Sequence, residues 1–153
     1  MLNAPAKHTN NGVCRKCAEI FEVYPGFNEK LKAWFISFQA AHPESHISCA
    51  GRGRVEQERD FQKGASKAHY GQSAHNYGCA IDLFVLLPGE EGLYPQQWFF
   101  EVLAPELAKQ PWLDWGYSWT RFPEMPHVEL ANWHELVELG FVGLVEPLEG
   151  SVG

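Results

Sequence analysis

The order of patterns along this chain predicts an α+β fold. Three observations carry that reading: an amphipathic helical stretch early in the chain, an apolar extended run near its middle, and short helices and strands that follow no strict alternation. A doubly wound sheet would alternate the two regularly.

Each element has a local reason. "NEKLKAWFISFQAAHP" opens at Asn28, a good N-cap, and sets Leu31, Trp34, Phe35 and Phe38 on one helical face before His42-Pro43 ends it. "HISCA" predicts a short strand, and "VEQERDFQKG" a helix closed by Gly64. "GCAIDLFVLL" is the strongest strand, stopped by Pro88-Gly89. "PQQWFFEVLAPELAKQ" predicts a helix broken or kinked at Pro105. "LDWGYSW" and "HVELA" predict strands, and "NWHELVELG" a short last helix ending at Gly140.

With 153 residues, 45% of them hydrophobic and 20% charged, the chain fits one globular domain spanning residues 1–153, with 1–12 a loose polar lead. A net charge of -7 argues against nucleic-acid binding, which needs a basic stripe. No apolar run approaches the roughly 18 residues of a membrane span. "MLNAPAKHTNNG" lacks the apolar core of a secretory signal, so synthesis and folding in the cytosol, with reduced thiols, are expected.

Two polar, metal-competent side chains flank small residues in "SAHNYGCAID". If residues 78 to 86 are extended, Gly78, Ala80 and Asp82 share one face, with Cys79, Ile81 and Leu83 on the core face. Small neighbours leave room beside Asp82, and His75 precedes the strand on a segment able to fold over it. Histidine and aspartate are both zinc ligands; the plainer reading is a capping aspartate and an exposed histidine.

A third ligand is then required. His134 lies in "HELVE", which lacks the second histidine of the two-histidine zinc helix, Glu138 standing there instead. His69 lies in loop-like sequence. His127, in "FPEMPHVEL", is the better choice: Val128 and Leu130 face the core and leave His127 and Glu129 opposite. Pro123 and Pro126 exclude a helix, so Glu124 comes round to His127 through a turn, where a glutamate can take a proton from an attacking water. Ser73 and Trp115, with Trp119, are candidates for substrate binding, and Glu129 for support of His127.

Ser73, His75, Gly78, Ala80 and Asp82, followed by Glu124-Met125-Pro126-His127, resemble the paired motifs of the zinc D-Ala-D-Ala carboxypeptidase family. That family includes D,D-dipeptidases and the L-alanyl-D-glutamate endopeptidases of bacteriophage lysis, and Hedgehog domains share its fold. The resemblance covers roughly residues 45 to 135 and implies a small antiparallel sheet flanked by helices. It implies one catalytic Zn²⁺ held by His75, Asp82 and His127, with Glu124 as general base. Arg52 falls where the family has an oxyanion-stabilising arginine, with Arg54 as competitor, while Tyr117 stands where a second glycine is common.

The activity so implied is that of an endolysin cutting the L-alanyl-D-glutamate bond of bacterial peptidoglycan. It would be a monomer made in the host cytoplasm, without membrane insertion, acting on the wall once the membrane is permeabilised. The alternatives are a D,D-carboxypeptidase acting on D-Ala-D-Ala ends and a zinc-containing binding module that has lost catalysis.

"CRKC", Cys14 to Cys17, stands outside those motifs. The default is two ordinary buried or half-buried thiols. A structural zinc would need two more ligands, for which Cys49, His8 and His46 are conceivable, and a redox pair would need a strand-end setting that the flanks do not suggest. Cys79 is expected to be an inert core thiol.

Overall fold

A computed structural model describes residues 8–10, 14–87, 95–119 and 123–148. Most of the polar lead, and the Pro88-Gly89 stop, lie outside these residues. Among the described residues four antiparallel strands form one sheet in the order β1 (Ser45–Cys49), β2 (Ala80–Val85), β4 (His127–Leu130), β3 (Leu113–Trp115). The α+β expectation therefore holds, with β2 and β4 in the centre and β1 at one edge. Among the described residues no helix is long and apolar enough to cross a membrane.

Helix α1 (Arg15–Glu22) starts where the Cys14 side chain accepts from the backbone of Cys17. Asn28 caps α2 (Glu29–Ala41) as expected, its Oδ1 accepting from Leu31 N at 2.9 Å. Leu31 and Phe35 of that helix are fully buried, and with Ile47 of β1, Ile81 and Leu83 of β2 and Val128 of β4 they form the centre of the core. Burying each such side chain contributes about 1.5–3 kcal/mol. Helix α3 (Arg54–Gln62) ends close to Gly64, whose φ of 76° only glycine adopts freely.

α4 (Gln96–Trp98) and α5 (Ala104–Ala108) are joined by a π-helical turn, Phe99–Leu103. Pro105 has no N–H to give the preceding turn, and the wider turn absorbs the misfit. The last helix, α6 (Trp133–Glu138), ends just before Gly140 at φ 77°.

Two expectations need correction. "LDWGYSW" is extended only to Trp115, after which Gly116–Ser118 form a 3-10 turn. Gly78 is not part of β2: it closes a 3-10 turn (Ala74–Tyr77) at φ 65°, and a Cβ there would lie 2.9 Å from the Phe27 Cα. Its smallness permits a close approach of the Phe27 backbone, and it does not line the cleft that Asp82 borders.

Candidate metal centre

The sheet sets the site by register. Cys49 of β1 and His127 of β4 both stand opposite Asp82 of β2. An irregularity between Ile47 and Cys49 lets two β1 steps span one of β2, which brings Cys49 level with the carboxylate. Cys49, His75 and Asp82 consequently form a group whose ligand atoms all lie within 4.8 Å.

His75 arrives on the 3-10 turn. Ser73 caps that turn, its hydroxyl accepting from His75 N, while the Ser73 N–H donates to Asn76 Oδ1 at 3.0 Å. The Arg52 backbone N–H donates to His75 O at 3.1 Å, and Asn76 Nδ2 donates to Arg52 O at 3.0 Å. These bonds fix the imidazole close to its strand partner before any ligand binds.

Hydrogen bonding then fixes which nitrogen of each histidine faces the carboxylate. His75 Nδ1 lies 2.8 Å from Ala50 O, a pure acceptor, so it carries the proton and leaves Nε2 as the lone pair, 3.3 Å from Asp82 Oδ1. His127 Nε2 lies 2.7 Å from Glu129 Oε1 and donates there, leaving Nδ1 facing the same Asp82 oxygen at 3.1 Å. The two rings stand 4.9 Å apart, edge to face. Two imidazole nitrogens and a carboxylate oxygen converge, a set that either imidazole protons or one bound metal cation satisfies.

The electrostatics agree. Burial opposes ionisation of Asp82, but His75 and His127 outweigh it and hold the carboxyl well below its usual range. Burial likewise lowers the His75 pKa, and the Asp82 charge more than reverses this. The field that draws a proton between them also favours a divalent ion, and His/Asp donors of this kind fit zinc.

Glu124 follows the Pro123 corner, and its Oε2 stands 3.6 Å from His127 Nδ1. Burial pushes its pKa up, with Asp82 adding to the effect. Gly116 makes this approach possible, since a Cβ there would meet Glu124 O at 2.6 Å and His127 Cβ at 2.9 Å. Glu129, half-buried, spends its second oxygen on Trp133 Nε1 at 2.8 Å.

Arg52, not Arg54, reaches the centre. Its guanidinium lies 3.6 Å from Asp82 Oδ2 and is held from behind by Asp60 at 3.3 Å and Gln57 Oε1 at 3.1 Å. Gln57 is fully buried, its amide donating to Ser66 Oγ and Ala68 O. Arg54 instead lies over the Tyr70 ring.

Arg52, His75, Asp82, Glu124, His127 and Glu129 border a cleft of about 600 Å³ that also includes Ser73, Trp119 and His134. Trp119 stacks obliquely near His127, ring centroids 4.8 Å apart. Trp115 does not line this cleft, contrary to expectation. Paired with Val128 on the core side, it borders a neighbouring cavity, and its indole N–H donates to Met125 O at 2.7 Å. Tyr117 turns away as well, packing on Phe100 and Trp115. His69 is taken up by Glu58 at 2.9 Å and does not line the cleft. Sequence reasoning did not assign Cys49, Asp60 or Gln57 to the centre, and only pairing across the sheet and helix brings them there.

Comparison with known proteins gives three findings. Residues 66–130 match the family described as D-alanyl-D-alanine carboxypeptidase, a segment holding His75, Asp82, Glu124 and His127. The peptidoglycan L-alanyl-D-glutamate endopeptidase CwlK of Bacillus subtilis is 31% identical in a 97-residue alignment that covers 52% of this chain and 56% of that protein. The chain thus spans little more than half of that relative's length. The fold is similar to the Serratia marcescens L-Ala D-Glu endopeptidase ChiX, with a TM-score of 0.64 and 17% identity over 79% of this chain and 90% of that one.

Proposed function

We propose that this protein is a zinc metallopeptidase that hydrolyses bacterial peptidoglycan at the L-alanyl-D-glutamate bond, in the manner of a bacteriophage endolysin, a reading supported by the match of residues 66–130 to the D-alanyl-D-alanine carboxypeptidase family. One observation carries the reading: the lone pairs of His75 and His127 converge on Asp82 with the Glu124 carboxylate beside them. The name of the Bacillus relative supports this bond over a D-Ala-D-Ala terminus.

His75, Asp82 and His127 would hold the ion. Bound zinc supplies Lewis acidity, which brings the pKa of water toward roughly 7 and polarises a carbonyl. Glu124 takes the proton of the attacking water and returns it to the leaving amine, a role that its burial-raised basicity suits. Arg52, braced by Asp60 and Gln57, steadies the negative charge that develops on the substrate oxygen. Ser73 acts chiefly through the turn that carries His75, and Trp119 offers an apolar wall beside the reacting bond.

Mass spectrometry of digested muropeptides tests the bond. Products ending at L-alanine and beginning at D-glutamate are expected; release of terminal D-alanine alone would favour the carboxypeptidase alternative. Glu124→Gln should lower kcat by about 10²–10⁴-fold with metal content unchanged. Wild-type turnover in that variant would remove the base from the mechanism. A wild-type protein that binds zinc without cleaving any muropeptide would favour a binding module.

A further inference from the structure

The "CRKC" motif, which the peptidase reading does not use, meets two histidines in space. His8, Cys14, Cys17 and His46 form a group whose ligand atoms all lie within 4.8 Å of one another, with the latter three residues buried. We propose that these four side chains hold a second, structural zinc ion.

The distances fit the geometry. A tetrahedron with Zn–S near 2.3 Å and Zn–N near 2.0–2.1 Å has S···N edges of about 3.5 Å. The observed edges are 3.3 Å (His8 Nδ1 to Cys14 Sγ), 3.5 Å (His8 Nδ1 to Cys17 Sγ), 3.3 Å (His46 Nδ1 to Cys14 Sγ) and 3.6 Å (His46 Nδ1 to Cys17 Sγ).

The surroundings leave these atoms as acceptors. Asn10 Nδ2 donates to Leu86 O at 2.6 Å, which turns the amide oxygen toward His46 Nε2, also at 2.6 Å. His46 Nε2 therefore carries the proton, and the Nδ1 lone pair faces the two sulfurs. This is the outer hydrogen bond that orients a ligating histidine. The sulfurs receive N–H donors in turn. Cys17 Sγ accepts from Ile47 N at 3.4 Å and Gln39 Nε2 at 3.5 Å, and Cys14 Sγ from Cys17 N at 3.3 Å. Donors aimed at sulfur suit thiolates, and the start of α1 favours negative charge there.

Such an ion would tie three parts of the chain together: the polar lead at His8, the start of α1, and the edge strand β1 at His46. Strand β1 leads directly to Cys49 and to Ala50, whose carbonyl orients His75. The second ion braces the strand on which the catalytic centre rests, and it takes no substrate.

Metal content by plasma emission, together with cobalt substitution, tests the proposal. Wild-type protein should carry two zinc ions per chain, and His127→Ala and Cys17→Ser one each. The cobalt-loaded protein should show a near-ultraviolet thiolate-to-cobalt charge-transfer band that survives His127→Ala and Cys49→Ser and vanishes in Cys17→Ser. Equal metal content in wild type and Cys17→Ser, loss of the band in Cys49→Ser, or a native Cys14–Cys17 disulfide by intact mass would overturn it. If Cys17→Ser does not fold, His8→Ala should still weaken zinc binding at least tenfold in chelator competition, and unchanged affinity would count against the site. A mercurial thiol reagent on folded wild type should release one zinc per chain, and release of none would overturn it. Should the catalytic reading alone fail, wild type and His127→Ala would each hold one ion and Cys17→Ser none.

Discussion

Replacing Glu129 with glutamine isolates how the protein prepares His127. The two side chains have nearly the same volume, so packing is preserved, but Glu129 serves two donors at once: His127 Nε2 at 2.7 Å and Trp133 Nε1 at 2.8 Å. An amide has only one oxygen. Turned toward His127, its NH₂ meets the indole N–H donor to donor; turned the other way, it opposes the imidazole proton that keeps Nδ1 free. A hydrogen bond to a charged group contributes about 1.5–3 kcal/mol. Loss of the partner behind a ligating histidine lowers metal affinity about 10–100-fold, equivalent to roughly 1.4–2.7 kcal/mol. Both routes give the same magnitude. Zinc affinity measured by chelator competition should therefore weaken 10–100-fold in Glu129→Gln, whereas Trp133→Phe, which spares the imidazole bond, should bind as wild type. Wild-type affinity in Glu129→Gln would refute the account of how the Nδ1 lone pair is set.

Arg52→Ala should lower kcat by about 10²–10³-fold, as loss of an oxyanion contact does, while Arg54→Ala, over Tyr70 and away from Asp82, should retain wild-type kcat on muropeptides. Gly116→Ala places a Cβ against Glu124 O and His127 Cβ; displacement of these groups by about 1 Å should cost roughly 100-fold in activity, and a crystal structure of the variant should show both displaced. Burial pushes the Cys79 thiol up to about 12, so iodoacetamide at pH 8 should label it only after unfolding. Because its folded pKa exceeds the unfolded value of about 8.5, its contribution to stability is complete below that pH and declines between there and about 12, which denaturant titrations across that range would register.

The sequence makes legible what depends on local periodicity. Strand parity put His127 and Glu129 opposite Val128 and Leu130, and the Pro123/Pro126 pair implied the turn that returns Glu124; both hold in the structure. Gly78 shows where such reasoning fails. Its spacing from Asp82 suggested a shared strand face, but the Phe27 backbone, far away in sequence, dictates a left-handed turn there. Trp115 and Trp119 have the same local character, and only the 3-10 turn between them sends one to the core side and the other to the cleft. Cys49 reaches Asp82 through a register irregularity that no run of residues announces. His46 meets Cys17 across 29 positions, so the motif and its conceivable partners His8, His46 and Cys49 were visible, while only the fold selects the two histidines.

Zinc-edge anomalous diffraction from crystals of metal-loaded protein tests the central claim most directly. The account predicts a peak about 2.0–2.2 Å from His75 Nε2, an Asp82 carboxylate oxygen and His127 Nδ1, with Glu124 facing its remaining position. Density for zinc elsewhere on the protein, with no peak among those three side chains, would contradict it.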